Sequence, residues 1–84
     1  MYRLVFDEKA MQFLEKLPNK IGKRIFRKIQ DTKINPHHYF VRLSNRKEYK
    51  LRVGDYRVIA DIKDNKLIIL IIHIGHRSKI YKKI

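Results

Sequence analysis

Between Leu67 and Ile72 the chain passes through six apolar residues without a break, and no other feature constrains its fold as tightly. Six residues fall far short of the ~20 that a membrane-spanning helix needs, so the run belongs in a protein interior. It is apolar on both parities, so as a strand it calls for an interior place in a sheet and cover on both faces. A hydrophobic fraction of 44% in 84 residues can supply that cover once, which predicts a single domain over residues 1–84. No repeat, linker or low-complexity run divides it. Near the N-terminus, Arg3, Asp7 and Glu8 stand where a secretory signal would be apolar, and the expected location is the cytosol.

The flanking sequence predicts the rest of the architecture. Tyr2, Leu4 and Phe6 alternate with Arg3 and Val5, the period of a short strand. Asp7 is placed to cap a helix in which Ala10, Phe13, Leu14 and Leu17 recur at helical spacing, and Pro18 stops it. Asn19 offers a second cap, and Ile21, Ile25, Phe26 and Ile29 mark a second helix that fades before Pro36. With a residue or two between them, the helices should lie as an antiparallel pair. Strands follow at residues 41–43, 48–53, 56–63 and 67–74, with Gly54-Asp55 and Asp64-Asn65 as two-residue hairpin turns. Residues 77–84 are short and basic, and are expected to dock as a turn of helix or a loop. The fold class is α+β: an antiparallel meander with an N-terminal strand and a helical hairpin packed on one face.

Lys and Arg number 21 against 8 Asp and Glu, a formal net charge of +13. Solubilising surfaces mix both signs, so this excess implies a polyanionic partner: nucleic acid, an acidic protein or an anionic membrane. The absence of cysteine excludes disulfides, thiolate metal sites and cysteine nucleophiles.

Pairing across Gly54-Asp55 sets Val53 opposite Tyr56, and therefore Arg52 opposite Arg57, with Lys50 two residues back on the same face. Tyr49, Leu51, Val53, Tyr56, Val58 and Ala60 then point towards the helices. Like charges directly opposite cost a few tenths to about 1 kcal/mol per pair unless their side chains splay into solvent. Three cations crowded on one hairpin face point to an anion site, most simply for phosphate. Pairing across Asp64-Asn65 sets Arg57 opposite Ile72 and Tyr56 opposite His73. In that register Ile74 and His76 share the face of Arg57, and His73 is a hydrogen-bonded core histidine. Lys50, Arg52, Arg57, His76 and Arg77 then converge, with Tyr81 returning from the tail.

Three other patterns carry less. His73-Ile74-Gly75-His76 spells a motif of class I aminoacyl-tRNA synthetases, whose nucleotide-binding domain 84 residues cannot hold. His37-His38 has no carboxylate or thiolate nearby in sequence, and adjacent histidines chelate one ion poorly, so no metal is expected. Lys20, Lys23, Arg24, Arg27 and Lys28 on the second helix form either a nucleic-acid-binding face or a solvated one.

The string Tyr49-Lys50-Leu51-Arg52-Val53-Gly54-Asp55-Tyr56-Arg57-Val58-Ile59, followed by Ile74-Gly75-His76-Arg77 and Tyr81, resembles the RelE/ParE toxin superfamily on its RelE side. The similarity runs over nearly the whole chain in the family order of elements. The resemblance implies the toxin of a type II toxin–antitoxin system. Its activity would be a ribosome-dependent endoribonuclease without metal or cofactor, cutting mRNA in the ribosomal A site and blocking translation. It also implies an acidic, RelB-like antitoxin as partner alongside the ribosome and mRNA, with no membrane role.

By the same resemblance, Lys50 and Arg52 hold the phosphate and help activate the 2′-OH, and Arg57 stabilises charge at phosphorus. Arg77 supports or protonates the leaving group, and Tyr81 stacks on or orients a base. Lys50 acts as a base only where neighbouring cations favour its neutral form. Two departures stand out. Glu48 occupies a position where some members carry another lysine, and is an alternative base with His76 as its partner. The stretch from Arg77 to Tyr81 is shorter than in some members, which leaves the reach of Tyr81 open. Base, acid and stabiliser remain interchangeable among these residues. Two other classes of function are a ParE-like DNA gyrase inhibitor without nuclease activity and a basic module that binds nucleic acid non-specifically.

Overall fold

In a computed structural model that describes residues 1–76, two helices pack on one face of a five-stranded sheet. The elements follow as β1 (Arg3–Phe6), α1 (Glu8–Lys16), α2 (Asn19–Asp31), β2 (Val41–Arg42), β3 (Tyr49–Val53), β4 (Tyr56–Lys63) and β5 (Ile68–His76). Short 3-10 turns lie at Pro36–His38 and Asp64–Lys66. The strand order is β1-β5-β4-β3-β2, with β2 to β5 an antiparallel meander and β1 parallel to β5. This is the expected α+β arrangement. The helix or loop expected at residues 77–84 lies outside the described residues. Among those described, no helix is long and apolar enough to cross a membrane.

Local chemistry sets the helix ends. The Asp7 carboxylate accepts the Lys9 backbone N–H at 3.1 Å, satisfying a first-turn donor of α1. At α2 the expectation of an Asn19 cap is corrected: Pro18 is the capping residue, Asn19 is the first helical one, and no side-chain cap bond forms. Pro18 at φ −52° and ψ 140° both ends α1 and aims the chain into α2, so the turn needs no side-chain cap. A Cβ at Gly22 would lie 3.2 Å from the Leu14 carbonyl oxygen, so glycine there lets the helices close on one another.

α1 lies over β5 and α2 over β3. Ile25, Ile29, Val58, Ala60, Ile69 and Ile71 are at most 1% exposed, and burying each of the larger ones is worth about 1.5–3 kcal/mol. β5 takes the interior place that its apolar run demands, but the expected two-sided cover is not found among the described residues. Ile69 and Ile71 are buried under the helices, whereas Ile68, Leu70 and Ile72 are half-buried.

The first hairpin has the expected register, with Val53 opposite Tyr56 and Arg52 opposite Arg57. Gly54 has φ +60°, the left-handed value that a glycine-first hairpin turn uses. The second hairpin does not. Lys63 pairs with Ile68, so the loop spans residues 64–67, and Leu67 takes the left-handed conformation at φ 54°. A bulge opposite Ile59 and Ala60 then inserts Ile72, so that Arg57 faces Gly75, Tyr56 faces His76 and Ile59 faces His73. One extra residue flips the parity of everything after it. His73 and Gly75 therefore join the face of Arg57, while Ile74 and His76 turn to the helix side. The two histidines have exchanged the places expected of them.

Candidate functional site

The sheet face turned away from the helices carries Lys50, Arg52, Arg57 and His73. Alternation puts the two β3 cations there because Leu51 and Val53, between and beyond them, are anchored in the core. Lys50, Ile59 and His73 form one row across three strands, and Arg52, Arg57 and Gly75 form the next. Lys50 is half-buried, and Arg52 and His73 are exposed. Arg57 is only 7% exposed, a burial that charged residues seldom reach, so its side chain is held within the structure rather than splayed. Arg52 donates from Nε to the Gly54 carbonyl at 3.4 Å.

Two hollows flank this cluster. β2 pairs only with Tyr49 and Lys50, which leaves the remainder of the β3 edge uncovered by it. In that gap lies a hollow of about 440 Å³, whose lining includes Lys28, His38, Tyr39, Lys50, Arg52 and Arg57. On the other side of Arg52 lies a groove of about 590 Å³ between α2 and the β3–β4 turn. Lys20, Lys23, Arg24, Arg27 and Lys28 form its wall, with Asp31 the one carboxylate among the lining residues. Lys28 and Arg52 are common to both hollows, so the cationic surface is continuous from α2 to Arg57. The Lys28 ammonium sits 5.2 Å from the Tyr39 ring centre, within cation–π range. A Cβ at Gly54 would come 3.2 Å from the nearest guanidinium nitrogen of Arg24, which therefore lies over the turn. Such a wall has the character of a groove that tracks a phosphate backbone.

Other residues singled out in the sequence fall elsewhere. His76, expected beside Arg57, is on the helix side, edge-on to Tyr56 with ring centres 5.6 Å apart. Glu48 pairs with Arg46 at 3.1 Å, and that hydrogen bond holds its carboxyl below the usual range. The expected Glu48–His76 pair is not assembled: Tyr49, beside Glu48, aligns through Ala60 with Ile71, five positions before His76. Arg77 and Tyr81 lie outside the described residues. His37 is bound at Nε2 to Asp64 Oδ1 at 2.7 Å, and the Tyr2 hydroxyl donates to the same oxygen at 2.6 Å. His38, by contrast, packs edge-on against Tyr39 and lines the hollow beside Lys50 and Arg57. Two features went unforeseen, His73 on the open face and the Tyr39–Lys28 wall. The first depends on a bulge that leaves no mark in a run of isoleucines, and the second on the path of residues 32–40.

The fold and its cationic face define a class of small toxin. A family model described as the ParE toxin of type II toxin–antitoxin system, parDE, matches residues 4–81, and the chain belongs to that family, within the RelE/ParE superfamily. A putative RelE-like toxin protein of Escherichia coli is 28% identical over 81 residues, covering 93% of this chain and 85% of that protein. The isolated E. coli RelE toxin superposes with a TM-score of 0.76 at 25% identity, over 99% of this chain and 94% of that one. The toxin of the intact E. coli RelBE toxin–antitoxin complex matches at 0.78 and 23% identity, over 90% of this chain and 96% of that one. The archaeal RelE–RelB complex from Pyrococcus horikoshii matches at 0.79 and 22% identity, over 93% of this chain and 97% of that one. The protein is a toxin of a type II toxin–antitoxin system.

Proposed function

We propose that this toxin is a ribosome-dependent endoribonuclease that cuts mRNA in the ribosomal A site without a metal or cofactor, and so blocks translation. The observation that supports it best is the cluster of Lys50, Arg52 and buried Arg57 on one face, beside a hollow with space for a phosphodiester. Cleavage through the 2′-OH needs a proton removed from that hydroxyl, charge support at phosphorus and a proton delivered to the 5′-oxygen. Lys50 and Arg52 hold the phosphate and help activate the 2′-OH, and Arg57 stabilises the charge that builds at phosphorus. Arg77 supports the leaving group and Tyr81 stacks on a base. Lys20, Lys23, Arg24, Arg27 and Lys28 hold RNA beyond the scissile linkage.

The partner that silences it is an acidic, RelB-like antitoxin, as the relatives solved as RelB–RelE complexes suggest. A net charge of +13 favours such a partner. So does the groove between α1 and α2, where Met11, Leu14, Leu17 and Phe26 are bordered by Lys23 and Arg27 against the single carboxylate of Glu15, a match for an amphipathic acidic segment. With ribosome and mRNA as targets, the toxin acts in the cytoplasm.

Primer extension on a defined message in a translating extract tests the reading. Cuts once per codon, only on ribosome-bound message and lost in Arg57→Ala, are expected. Cuts that ignore reading frame or survive the substitution would sink it. The family model that matches is the ParE one, which favours a second reading as a gyrase inhibitor. Under that reading mRNA stays whole, DNA supercoiling stops, and the same arginines dock on protein.

A further inference from the structure

We propose that the hollow beside Lys50 and Arg57 seats one whole unpaired nucleotide of the RNA, with His38 and Tyr39 as its base-binding wall, an inference that rests on the endoribonuclease reading above. Contacts to phosphate position an RNA without distinguishing one base from another. The rest of the lining supplies what the cations lack. His38, Tyr39 and Val41 stand beside Lys28, Lys50, Arg52 and Arg57, and no carboxylate is among the described lining residues. The volume of about 440 Å³ falls in the range of small-molecule sites, about 300–1,000 Å³.

The path of the chain builds this wall. β2 begins at Val41, which is paired with Lys50 on the open face and is 60% exposed. Ahead of it the chain leaves the ladder through the 3-10 turn Pro36–His38, where the Tyr39 and Phe40 N–H groups donate to the Pro36 carbonyl at 3.0 and 2.8 Å. Three residues pin that turn. Pro36 and Phe40 are buried, and His37 is tied to Asp64 and edge-on to Tyr49, with ring centres 5.4 Å apart. His38 and Tyr39 line the hollow. Their rings meet at 83° with centres 5.1 Å apart, an aromatic corner in which a flat base stacks on one ring and meets the other at its edge. The Lys28 ammonium, 5.2 Å from the centre of the Tyr39 ring, steadies that ring and adds positive charge.

Val41 extends the wall to Lys50, so the apolar and cationic parts of the lining meet at one strand pair. The base lies against His38, Tyr39 and Val41, and its phosphate reaches Lys50, Arg52 and Arg57. The cations then hold any RNA, and the wall sets which nucleotide is preferred at the cut.

The test titrates the full chain with adenosine 5′-monophosphate and with ribose 5-phosphate, which lacks the base, and follows the His38 and Tyr39 ring resonances by NMR. The monophosphate is expected to shift both rings and to bind about 10-fold more tightly than the ribose phosphate. Combining His38→Ala with Tyr39→Leu should bring the two ligands within about 2-fold of each other and leave the affinity for ribose phosphate unchanged. Because Tyr39 is half-buried, His38→Ala alone is the second variant: it should keep the wild-type thermal midpoint and narrow the gap part of the way. Lys50→Ala should weaken both ligands alike. Equal affinities in the wild type, or rings unmoved at saturation, overturn the seat whatever primer extension shows. Tighter binding of the monophosphate with ribosome-bound message left whole would keep the seat and discard the endoribonuclease reading.

Discussion

The two faces of the sheet follow opposite rules. On the helix side, Val58, Ala60, Ile69 and Ile71 are completely buried and pack against α1 and α2 in the hydrophobic core. On the open side, Arg52 stands directly opposite Arg57 with Lys50 beside them, a like-charge arrangement that costs stability. The apolar residues of β5 on that side, Ile68 and Leu70, are only half-buried, although Ile59 on β4 is 1% exposed. Stability is concentrated on one face, and the other departs from it where an anion would bind. Local violations of folding rules are expected at functional sites, and here they share a single face.

The strongest way to break that comparison is to shorten adjacent residues that point to opposite faces. Ile71→Ala should cost about 2–5 kcal/mol, and its half-buried neighbour Leu70→Ala about 1 kcal/mol. At about 4–8 °C per kcal/mol for a domain of this size, thermal unfolding resolves the two easily. Equal losses would remove the distinction between the faces. Gly54→Ala sharpens it at the hairpin turn. The φ of +60° is strained for any side chain, and the Arg24 guanidinium would have to shift. A loss of about 1–2 kcal/mol in chemical denaturation is expected, together with weaker binding of single-stranded RNA at low salt.

The smallest effect belongs to the Tyr2–Asp64–His37 cluster. The Tyr2 hydroxyl, and after it His37, hold the Asp64 carboxyl below its ordinary value of 3.8. A carboxylate depressed in the folded state contributes stability that is present above its unfolded pKa and lost as pH falls through the folded one. The wild-type thermal midpoint should therefore drop more steeply below about pH 4 than that of Asp64→Asn. Solvent screening at these exposed side chains keeps the difference small. Superimposable pH profiles would show that the cluster contributes nothing.

The two hairpins show how far the sequence was legible. Gly54-Asp55 is a two-residue turn whose glycine supplies the positive φ, so the Arg52–Arg57 pairing could be read directly. The β4–β5 loop gave no such signal, because Leu67, a residue that rarely adopts it, takes the left-handed position. Asn65, the expected turn residue, instead sits within the 3-10 turn. The bulge at Ile72 lies among isoleucines and leucine, where every register buries comparable side chains, so hydrophobic patterning could not locate it. The β3–β4 cations were therefore legible and the β5 part of the site was not. Asn19 failed as a cap for a simpler reason: Pro18 had already set the backbone direction.

The most direct test of the account is Arg52→Glu, measured twice on one preparation. Primer extension reads cleavage of ribosome-bound message, and thermal denaturation reads the fold. The account predicts a loss of cutting of at least about 10²-fold. It also predicts a midpoint that holds or rises, because Glu opposite Arg57 replaces a like-charge pair with an attractive one worth about 0.2–1 kcal/mol. Cutting at the wild-type rate would contradict it, and so would a loss of cutting that came only with a collapsed midpoint.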